Sequence, residues 1–291
     1  MRVTQQMTYN SFINDIMRRQ KSILDTSRQL ATGRKVNVPS DDPISADGIF
    51  STRSVISDVE QYERNIDSGL SYLNIAENVL TGAEDVIINI HELAISQGTD
   101  TANADTRKNT AIVIQELYDE LLSVANTKLD RKYIFSGYLT DTAAFDSTGA
   151  YQGDANRYRV KIGAAAYETI GITGDTVFAG SGVDIFQTVS DLVTALNSND
   201  APGIRSSLAN LDSALRQVSD TVSEIGGRVI RLEASKESFA DLKLDLTQTL
   251  SSFEDADITK VISRFQLEQT ALEAALQASS RFLETNIFDY I

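Results

Sequence analysis

The sequence predicts a mainly α-helical protein with a small β insert, built as an elongated antiparallel helical bundle or coiled coil with paired terminal helices. Three observations lead to this prediction. Apolar residues recur every seven positions over long stretches, glycines and aromatic residues concentrate in residues 137–184, and the two ends carry opposite charge. The 291 residues are enough for one or two domains with a sizeable core. The net charge of −15 argues against nucleic-acid binding and against docking to an anionic membrane.

The longest apolar seam lies in the C-terminal half of the chain. Every seventh residue is apolar: Ile204, Leu211, Val218, Ile225, Leu232, Phe239, Leu246 and Phe253. This spacing is typical of an amphipathic helix in a coiled-coil-like bundle. About fifty helical residues extend roughly 75 Å, whereas a compact globule of this chain length has a radius of gyration of about 19 Å. The seam therefore predicts an elongated molecule.

Two further seams precede it and supply partners for its apolar stripe. The second seam comprises Val59, Ile66, Leu73, Leu80, Ile87 and Ala94, and the third comprises Ala111, Ile114, Tyr118, Leu121 and Ala125. Three such helices can bury their stripes against one another. Glycines interrupt the two long seams at Gly69, Gly82, Gly226 and Gly227. Each costs about 1 kcal/mol relative to alanine in a helix interior, so they predict close helix approach or soft points.

The two ends of the chain form another pair of seams, predicted to be the assembly interface. Its residues are Tyr9, Ile16, Ile23 and Leu30 near the N-terminus, and Ile258, Phe265, Leu272, Leu276 and Leu283 near the C-terminus. Residues 1–35 carry seven basic and two acidic side chains (+5), and residues 254–291 carry three basic and seven acidic ones (−4). Opposite charge favours pairing of the two ends. Polar residues also occupy seam positions, so an isolated pair should be marginally stable.

Both terminal seams are separated from the bundle by a break that we interpret as a shaped hinge. The heptad phase slips at residues 254–257, and the N-terminal seam ends at residues 33–43. Proline suits the first position of a helix, and an aspartate before it can accept hydrogen bonds as the N-cap. These roles fit Pro43 and Asp42. The predicted hinge residues are Pro39, Asp41, Asp42, Pro43, Asp255 and Asp257.

These breaks divide the chain into three predicted domains. Residues 1–38 with 256–291 form a terminal-helix assembly domain, residues 39–136 with 185–255 form the main bundle, and residues 137–184 form a β-rich outer domain. The outer domain holds eight of the 16 glycines. The alternating pattern of residues 157–162 predicts a strand, and residues 167–172 and 176–179 are further strand candidates. A short helix over residues 185–196 leads back to the bundle.

Catalytic constellations are scarce in this sequence. There is no cysteine, and the single histidine, His91, lies beside a seam position and is interpreted as a solvated residue on a helix flank. Gly180-Ser181-Gly182 lacks the third glycine of a dinucleotide fingerprint and is interpreted as a turn. The carboxylates at 41–42 and 254–257 do not have EF-hand spacing and are interpreted as helix caps. We therefore expect a protein that is not an enzyme, with no cofactor and no metal.

Several motifs in chain order resemble the flagellin family of bacterial flagellar proteins. They are Leu30-Ala31-Thr32-Gly33-Arg34-Lys35-Val36-Asn37-Val38 followed by Pro39-Ser40-Asp41-Asp42-Pro43, then Tyr133-Ile134-Phe135-Ser136-Gly137-Tyr138 with Phe145, Gly174-Asp175 to Phe178 with Ile185-Phe186, then Asp255-Ala256-Asp257-Ile258, Leu272-Glu273-Ala274-Ala275-Leu276 and Ile287-Phe288-Asp289-Tyr290-Ile291. The Pro39–Pro43 hinge is similar to that of the family members found between hook and filament. It differs from the form usual in filament flagellins.

This resemblance implies a structural subunit that forms the layer connecting hook to filament. The terminal helices would order on assembly, the bundle would form the tube wall and the β insert would face outward. Its partners would be other copies of itself, the neighbouring junction protein, flagellin and a cytoplasmic export chaperone, with no nucleic acid and no membrane. The polar N-terminus, which has no apolar signal region, fits export through the flagellar type III apparatus to the extracellular flagellum.

Three alternatives remain open at this stage. The chain could be a filament flagellin, which copy number would distinguish because a junction protein forms only a thin band. It could be an enzyme carried on a flagellin-like scaffold, although the 48 residues of 137–184 are few for an active site. It could also be a generic coiled-coil adaptor, which would not explain the paired phase breaks at both ends.

Overall fold

The computed structural model describes residues 5–99, 102–180 and 182–288, with side chains described for residue 7 and for residues 9–99, 102–180 and 182–280. The elements in chain order are α1 (Gln5–Thr32), α2 (Pro43–Gln97), α3 (Ala104–Ala125), β1 (Lys128–Leu129), β2 (Lys132–Tyr133), β3 (Arg159–Lys161), β4 (Tyr167–Thr169), a π-helical turn (Asp175–Ala179), α4 (Ile185–Asn197), α5 (Ala201–Glu254) and α6 (Ile258–Phe288). The predicted fold class, mainly α with a small β insert and paired terminal helices, is confirmed.

The chain divides into two compact units. The terminal unit comprises Met1–Asp58 and Asp241–Ile291, and the central unit comprises Val59–Ala240. Both α2 and α5 contribute residues to each unit. The three-domain division drawn from the sequence places its boundaries elsewhere and stays a prediction.

The predicted seams line the core of the central unit. All six positions of the second seam and all five of the third are buried, and the long seam is buried from Ile204 to Leu232. Phe239 is half-buried at the edge of the same core, where its ring lies 5.7 Å from that of Tyr62. The heptad pattern thus identified the buried face of each helix because side chains seven residues apart return to nearly the same side.

Glycines inside the long helices have different roles. A Cβ on Gly69 would lie 3.3 Å from methyl carbons of both Ile170 and Leu232, so its lack of a side chain permits close packing. Gly82 and Gly226 have nothing within 4 Å of that position. Neither glycine ends its helix, since α2 continues to Gln97 and α5 to Glu254.

The insert contains two short antiparallel hairpins and an aromatic core. β1 pairs with β2, and β3 pairs with β4 with Val160 opposite Glu168. The strand expected over 176–179 is wrong, because Asp175–Ala179 forms a π-helical turn that buries Val177 and Phe178. A short apolar run does not distinguish a strand from a buried helical turn. The rings packed here belong to Tyr118, Phe135, Phe145, Tyr151, Phe178 and Phe186.

Candidate assembly interface

The terminal helices α1 and α6 pack against each other in the terminal unit. Thr26 and Val261 are buried, and the predicted interface residues that are half-buried are Ile16, Ile23, Leu30, Phe265 and Leu272. The Ser22 hydroxyl donates to Glu268 Oε1 at 3.1 Å, and Arg19 Nη1 lies 3.8 Å from Glu268 Oε2. A basic α1 side chain therefore meets an acidic α6 side chain, in agreement with the opposite charges of the two ends.

Other predicted interface residues face away from this pairing. Tyr9 and Leu276 are each 49% exposed, and Ile258 is 42% exposed. Leu283 lies outside the residues whose side chains are described. Sequence reasoning missed further apolar side chains, among them Met17, Leu24 and Leu267, which are 61–69% exposed. They lie off the heptad seam but could be found as a second apolar stripe, because residues 17 and 24 are also seven positions apart.

These exposed side chains leave the terminal pair incomplete. A helix that is apolar on two sides buries only one of them in a two-helix contact. Met17 and Leu24 on α1, and Leu267 on α6, therefore offer apolar area that a single copy of the chain leaves in water. The arrangement is suited to further helix packing, which would remove this area from solvent.

Backbone hydrogen bonds join the first connector (residues 33–42, between α1 and α2) to the second connector (residues 255–257, between α5 and α6). Gly33 ends α1 with φ of 71°, a conformation that glycine adopts without steric cost. Lys35 N donates to Glu254 O at 2.7 Å, and Ala256 N donates to Gly33 O at 2.9 Å. Arg34 and Asp255 form the antiparallel bridge between them. Both chain crossings between helices are thus held side by side.

Glu254 is the central polar residue of this region, and sequence reasoning missed its partners. Its side chain is 6% exposed and is bound by two arginines. Arg53 Nη2 lies 2.7 Å and 2.8 Å from the two carboxylate oxygens, and Arg34 Nε contacts Oε1. A buried carboxylate needs such partners because burial otherwise disfavours its charge. The pattern Glu-Asp-Ala-Asp signalled a cap but gave no sign of arginines some two hundred positions away.

The predicted hinge aspartates cap backbone groups at the connectors. Asp42 Oδ1 accepts from Ile44 N and Ser45 N at 3.2 Å, as its place before Pro43 predicts. Asp41 Oδ2 accepts from Asn37 N at 2.9 Å and Val38 N at 3.0 Å. Asp257 Oδ1 accepts from Lys260 N at 3.1 Å in the first turn of α6.

The remaining hinge residues have simpler surroundings. Asp255 accepts a hydrogen bond from the Ser251 hydroxyl. Pro39 is exposed within the first connector, and Pro43 is the first residue of α2. Five of the six predicted hinge residues therefore lie in the connectors and Pro43 directly follows the first connector, and their action as a hinge stays a prediction.

Hydrogen bonding lowers the pKa of three of these carboxyl groups. The Ser45 hydroxyl and N–H hold the pKa of Asp42 below its ordinary 3.8. The N–H groups of Asn37 and Val38 lower the pKa of Asp41, and the Lys260 N–H lowers that of Asp257. Groups whose folded-state pKa is depressed stabilise the fold above the ordinary pKa, and this contribution is lost as pH falls through the folded-state pKa.

We expect the helix ends at the connectors to become less stable below about pH 4. The urea midpoint at pH 7, 4 and 3, followed by circular dichroism, measures this loss. Asp42→Asn is the matched variant, because asparagine also caps helices but does not ionise. It should keep its stability at pH 7 and lose less between pH 4 and 3 than the wild type. Parallel acid profiles for the two proteins would show that Asp42 does not contribute.

Groups associated with chemistry are not assembled elsewhere in the described residues. His91 is half-buried, and its Nε2 lies 3.0 Å from Asp212 Oδ1, so it is paired and not simply solvated as its sequence position suggested. Among the residues described, no cluster of three or more potential metal ligands occurs. The described helices include none that is long and apolar enough to cross a membrane.

Two family models match the chain. Residues 3–140 match the bacterial flagellin N-terminal helical region, and residues 208–291 match the bacterial flagellin C-terminal helical region. Together these matches include 222 of the 291 residues. They contain α1, the connectors and α6, the elements that form the candidate interface.

Similar curated proteins match along nearly their whole length. The chain is 28% identical to flagellar hook-associated protein 3 of Escherichia coli K12, with 99% of each chain covered. It is 26% identical to the Salmonella typhimurium protein of the same name, again over 99% of each. Identity to Bacillus subtilis flagellin is 25%, over 96% of this chain and 94% of the flagellin.

Solved structures share the fold. A flagellar hook-associated protein from Vibrio parahaemolyticus superimposes with a TM-score of 0.69 at 19% identity, covering 74% of this chain and all of that one. The flagellar junction protein FlgL from Legionella pneumophila superimposes with a TM-score of 0.60 at 19% identity, covering 72% of this chain and all of that one. At these identities the likeness concerns the architecture.

Proposed function

Because this chain belongs to the flagellin family, we propose that it is a structural subunit of the bacterial flagellum, forming the junction layer that connects the hook, through a neighbouring junction protein, to the flagellin filament. The observation that carries this proposal is the end-to-end match to two proteins named flagellar hook-associated protein 3, with 99% of each chain aligned. This alignment supports the proposal because it extends over both the terminal and the central units.

The terminal unit supplies the physical means of assembly. Tyr9, Leu276 and Ile258, together with the exposed stripe of Met17 and Leu24, would dock onto α1 and α6 of neighbouring subunits. Burying apolar area contributes about 25 cal/mol per Å², against the entropy lost on ordering. A pair of helices that is incomplete alone thus gains its missing contacts by polymerising. The terminal-helix, main-bundle and outer domains proposed from the sequence would then become inner layer, tube wall and outer face.

The partners we propose are other copies of the chain, the neighbouring junction protein and flagellin. Before assembly, a cytoplasmic export chaperone would hold the C-terminal helix, and the chain would leave the cell through the flagellar type III apparatus. The exposed apolar side chains of α1 and α6 support a need for such protection, because contiguous apolar surface promotes aggregation. We further propose that the protein has no enzymatic activity, in keeping with the structural flagellar proteins it matches.

Filament flagellin is the second candidate function. The match to Bacillus subtilis flagellin over 96% of this chain favours it, although at lower identity than the hook-associated proteins. The Pro39–Pro43 hinge sequence supports the junction role.

Deleting the gene distinguishes the two functions. If the chain joins hook to filament, the mutant should keep intact hooks, lack filaments and shed flagellin into the medium. Immunogold labelling of the wild type should show a thin band between hook and filament. Labelling along the whole filament would instead identify the chain as a filament flagellin, and normal filaments in the mutant would exclude both roles.

Removing Ile258–Ile291 should abolish assembly while leaving the central unit folded. The deleted residues lie wholly within the terminal unit, and the core of the central unit does not include them. Helicity of the truncated protein by circular dichroism should fall only by the share of α6 and its partner α1. A cooperative loss of all helicity would show instead that α6 is required for the fold of the centre.

A further inference from the structure

A basic groove lies along the polar side of α1 in the terminal unit. It has a volume of about 730 Å³ and is lined by residues of α1, the first connector and α6. Its basic residues are Arg18, Lys21, Arg28, Lys35 and Arg264, and its acidic residues are Asp25 and Asp41. Residues 18, 21, 25 and 28 recur at helical spacing on one face of α1. The groove is therefore a concave, positively charged surface on a chain whose net charge is −15.

Three of these cations have neither an ion pair nor a side-chain hydrogen bond within the part of the chain that the structure describes. Arg18 pairs with Asp15, and Lys35 Nζ donates to Ser252 O at 2.8 Å. Lys21, Arg28 and Arg264 have no carboxylate oxygen within 4.0 Å in that part of the chain. Arg28 does lower the pKa of Asp41 through a longer-range Coulomb interaction. A concave site with unpaired cations is suited to an anionic partner.

The same chain carries a matching acidic surface on the distal part of α2. No lysine or arginine occurs between Arg64 and Arg107, and this segment contains Glu77, Glu84, Asp85 and Glu92. At about 100° per residue these four lie within one arc of roughly 100°, and they extend over about 22 Å of helix. In the described structure none of the four has a cation within ion-pair distance. We call this surface the acidic face of α2.

We propose that the basic groove receives the acidic face of α2 from a second copy of the chain. The inference rests on the proposed function, and it assigns a specific contact between subunits. A helix is a suitable partner for the groove. The three unpaired cations lie on two helices, and their exposed side chains can contact successive turns of a helix that lies in the groove. The contact is heterologous, because it joins two different surfaces. A pair of copies therefore keeps one free groove and one free acidic face, to which further copies can bind.

Other acidic surfaces on the chain fit the groove less well. The exposed carboxylates of α5 at residues 233–245 are interrupted by Lys236 and Lys243, and α3 carries Lys108 beside its acidic residues. Interspersed cations would meet the groove with like charge, which disfavours the contact. The α2 segment is free of lysine and arginine over its whole length.

Charge reversal in flagellated cells tests the contact. Lys21→Glu with Arg28→Glu reverses the groove, and Asp85→Lys with Glu92→Lys reverses the acidic face. Each pair should lower the amount of the chain in purified flagella about tenfold, because like charges then oppose each other. The four substitutions together should restore most of it. The control is Glu116→Lys with Glu120→Lys on α3, which adds the same charge to another exposed helix face.

The outcomes separate this inference from the proposed function. Restoration by the α2 reversal and not by the α3 reversal supports the contact, provided that all variants keep the wild-type thermal midpoint. If the four-residue variant assembles no better than the groove variant alone, or if the α3 control restores assembly equally, the contact is overturned while the proposed function stands. Absence of the wild-type chain from flagella would overturn both.

The absence of cysteine provides a second readout. Lys21→Cys and Asp85→Cys, made in separate copies and expressed together, should yield a disulfide-linked pair on oxidation of isolated flagella. Glu116→Cys replaces Asp85→Cys as the control and should not cross-link to Lys21→Cys. Equal cross-linking of both cysteines would contradict the proposed contact.

Discussion

Replacing Leu232 with alanine should lower the free energy of unfolding by about 2–5 kcal/mol. Leu232 is fully buried in the core of the central unit, and its Cδ1 would lie 3.3 Å from a Cβ added at Gly69 on α2. Truncation removes methyl groups from a close-packed helix contact and leaves a cavity that rigid helices fill poorly. The urea midpoint, followed by circular dichroism, measures the loss.

Ile230→Ala is the matched control, because Ile230 lies two residues away on α5 and is 67% exposed. This substitution should change stability by less than about 0.5 kcal/mol. The two substitutions remove similar apolar side chains from the same helix, and they differ mainly in how deeply the removed atoms are buried. Equal midpoints for Leu232→Ala and the wild type would mean that the long seam does not carry the core.

Replacing Gly149 with alanine should destabilise the protein by about 2–4 kcal/mol, because the substitution combines backbone strain with overpacking. Gly149 has φ of 82°, and an added Cβ would lie 2.4 Å from Phe186 Cβ and 2.8 Å from the Tyr118 hydroxyl. Phe186 sits among rings that are themselves fully buried, so the neighbour has little room to move. Thermal unfolding followed by near-ultraviolet circular dichroism reports on this aromatic cluster directly.

Gly82→Ala provides the opposite expectation with the same added methyl group. Gly82 lies inside α2 with nothing within 4 Å of the new Cβ, so alanine should stabilise the helix by up to about 1 kcal/mol. If both alanine variants shift the melting temperature in the same direction, local geometry around Gly149 is not the cause.

The buried faces of the bundle helices could be predicted because they follow from a local, periodic spacing of apolar residues. Each apolar position of the seams reports on its own helix face, and burial from Ile204 to Leu232 follows the seven-residue spacing. The cap by Asp42 could be predicted for the same reason, since both of the N–H groups it accepts from lie within three residues.

Features that depend on distant partners could not be predicted. The arginines that bind Glu254 come from α2 and the first connector, and no local pattern links these positions. The sequence predicts a strand over residues 176–179, whereas Asp175–Ala179 forms a π-helical turn. Packing of Phe178 against Phe135 and Phe145, which are distant in sequence, decides this conformation. Likewise, exposure of Met17 and Leu24 is decided by which side of α1 meets α6.

The contact between the two connectors closes a very long loop of the polypeptide chain. Lys35 and Glu254 are roughly 220 positions apart, and closing so long a loop costs about 5 kcal/mol of chain entropy. Contacts of such wide separation form late in folding, after local helices have fixed most of the intervening chain. They should also open early, as a sub-global event that costs less than complete unfolding. We therefore expect the terminal unit to open and close while the central unit stays folded, which would let a subunit rearrange its terminal helices around its neighbours.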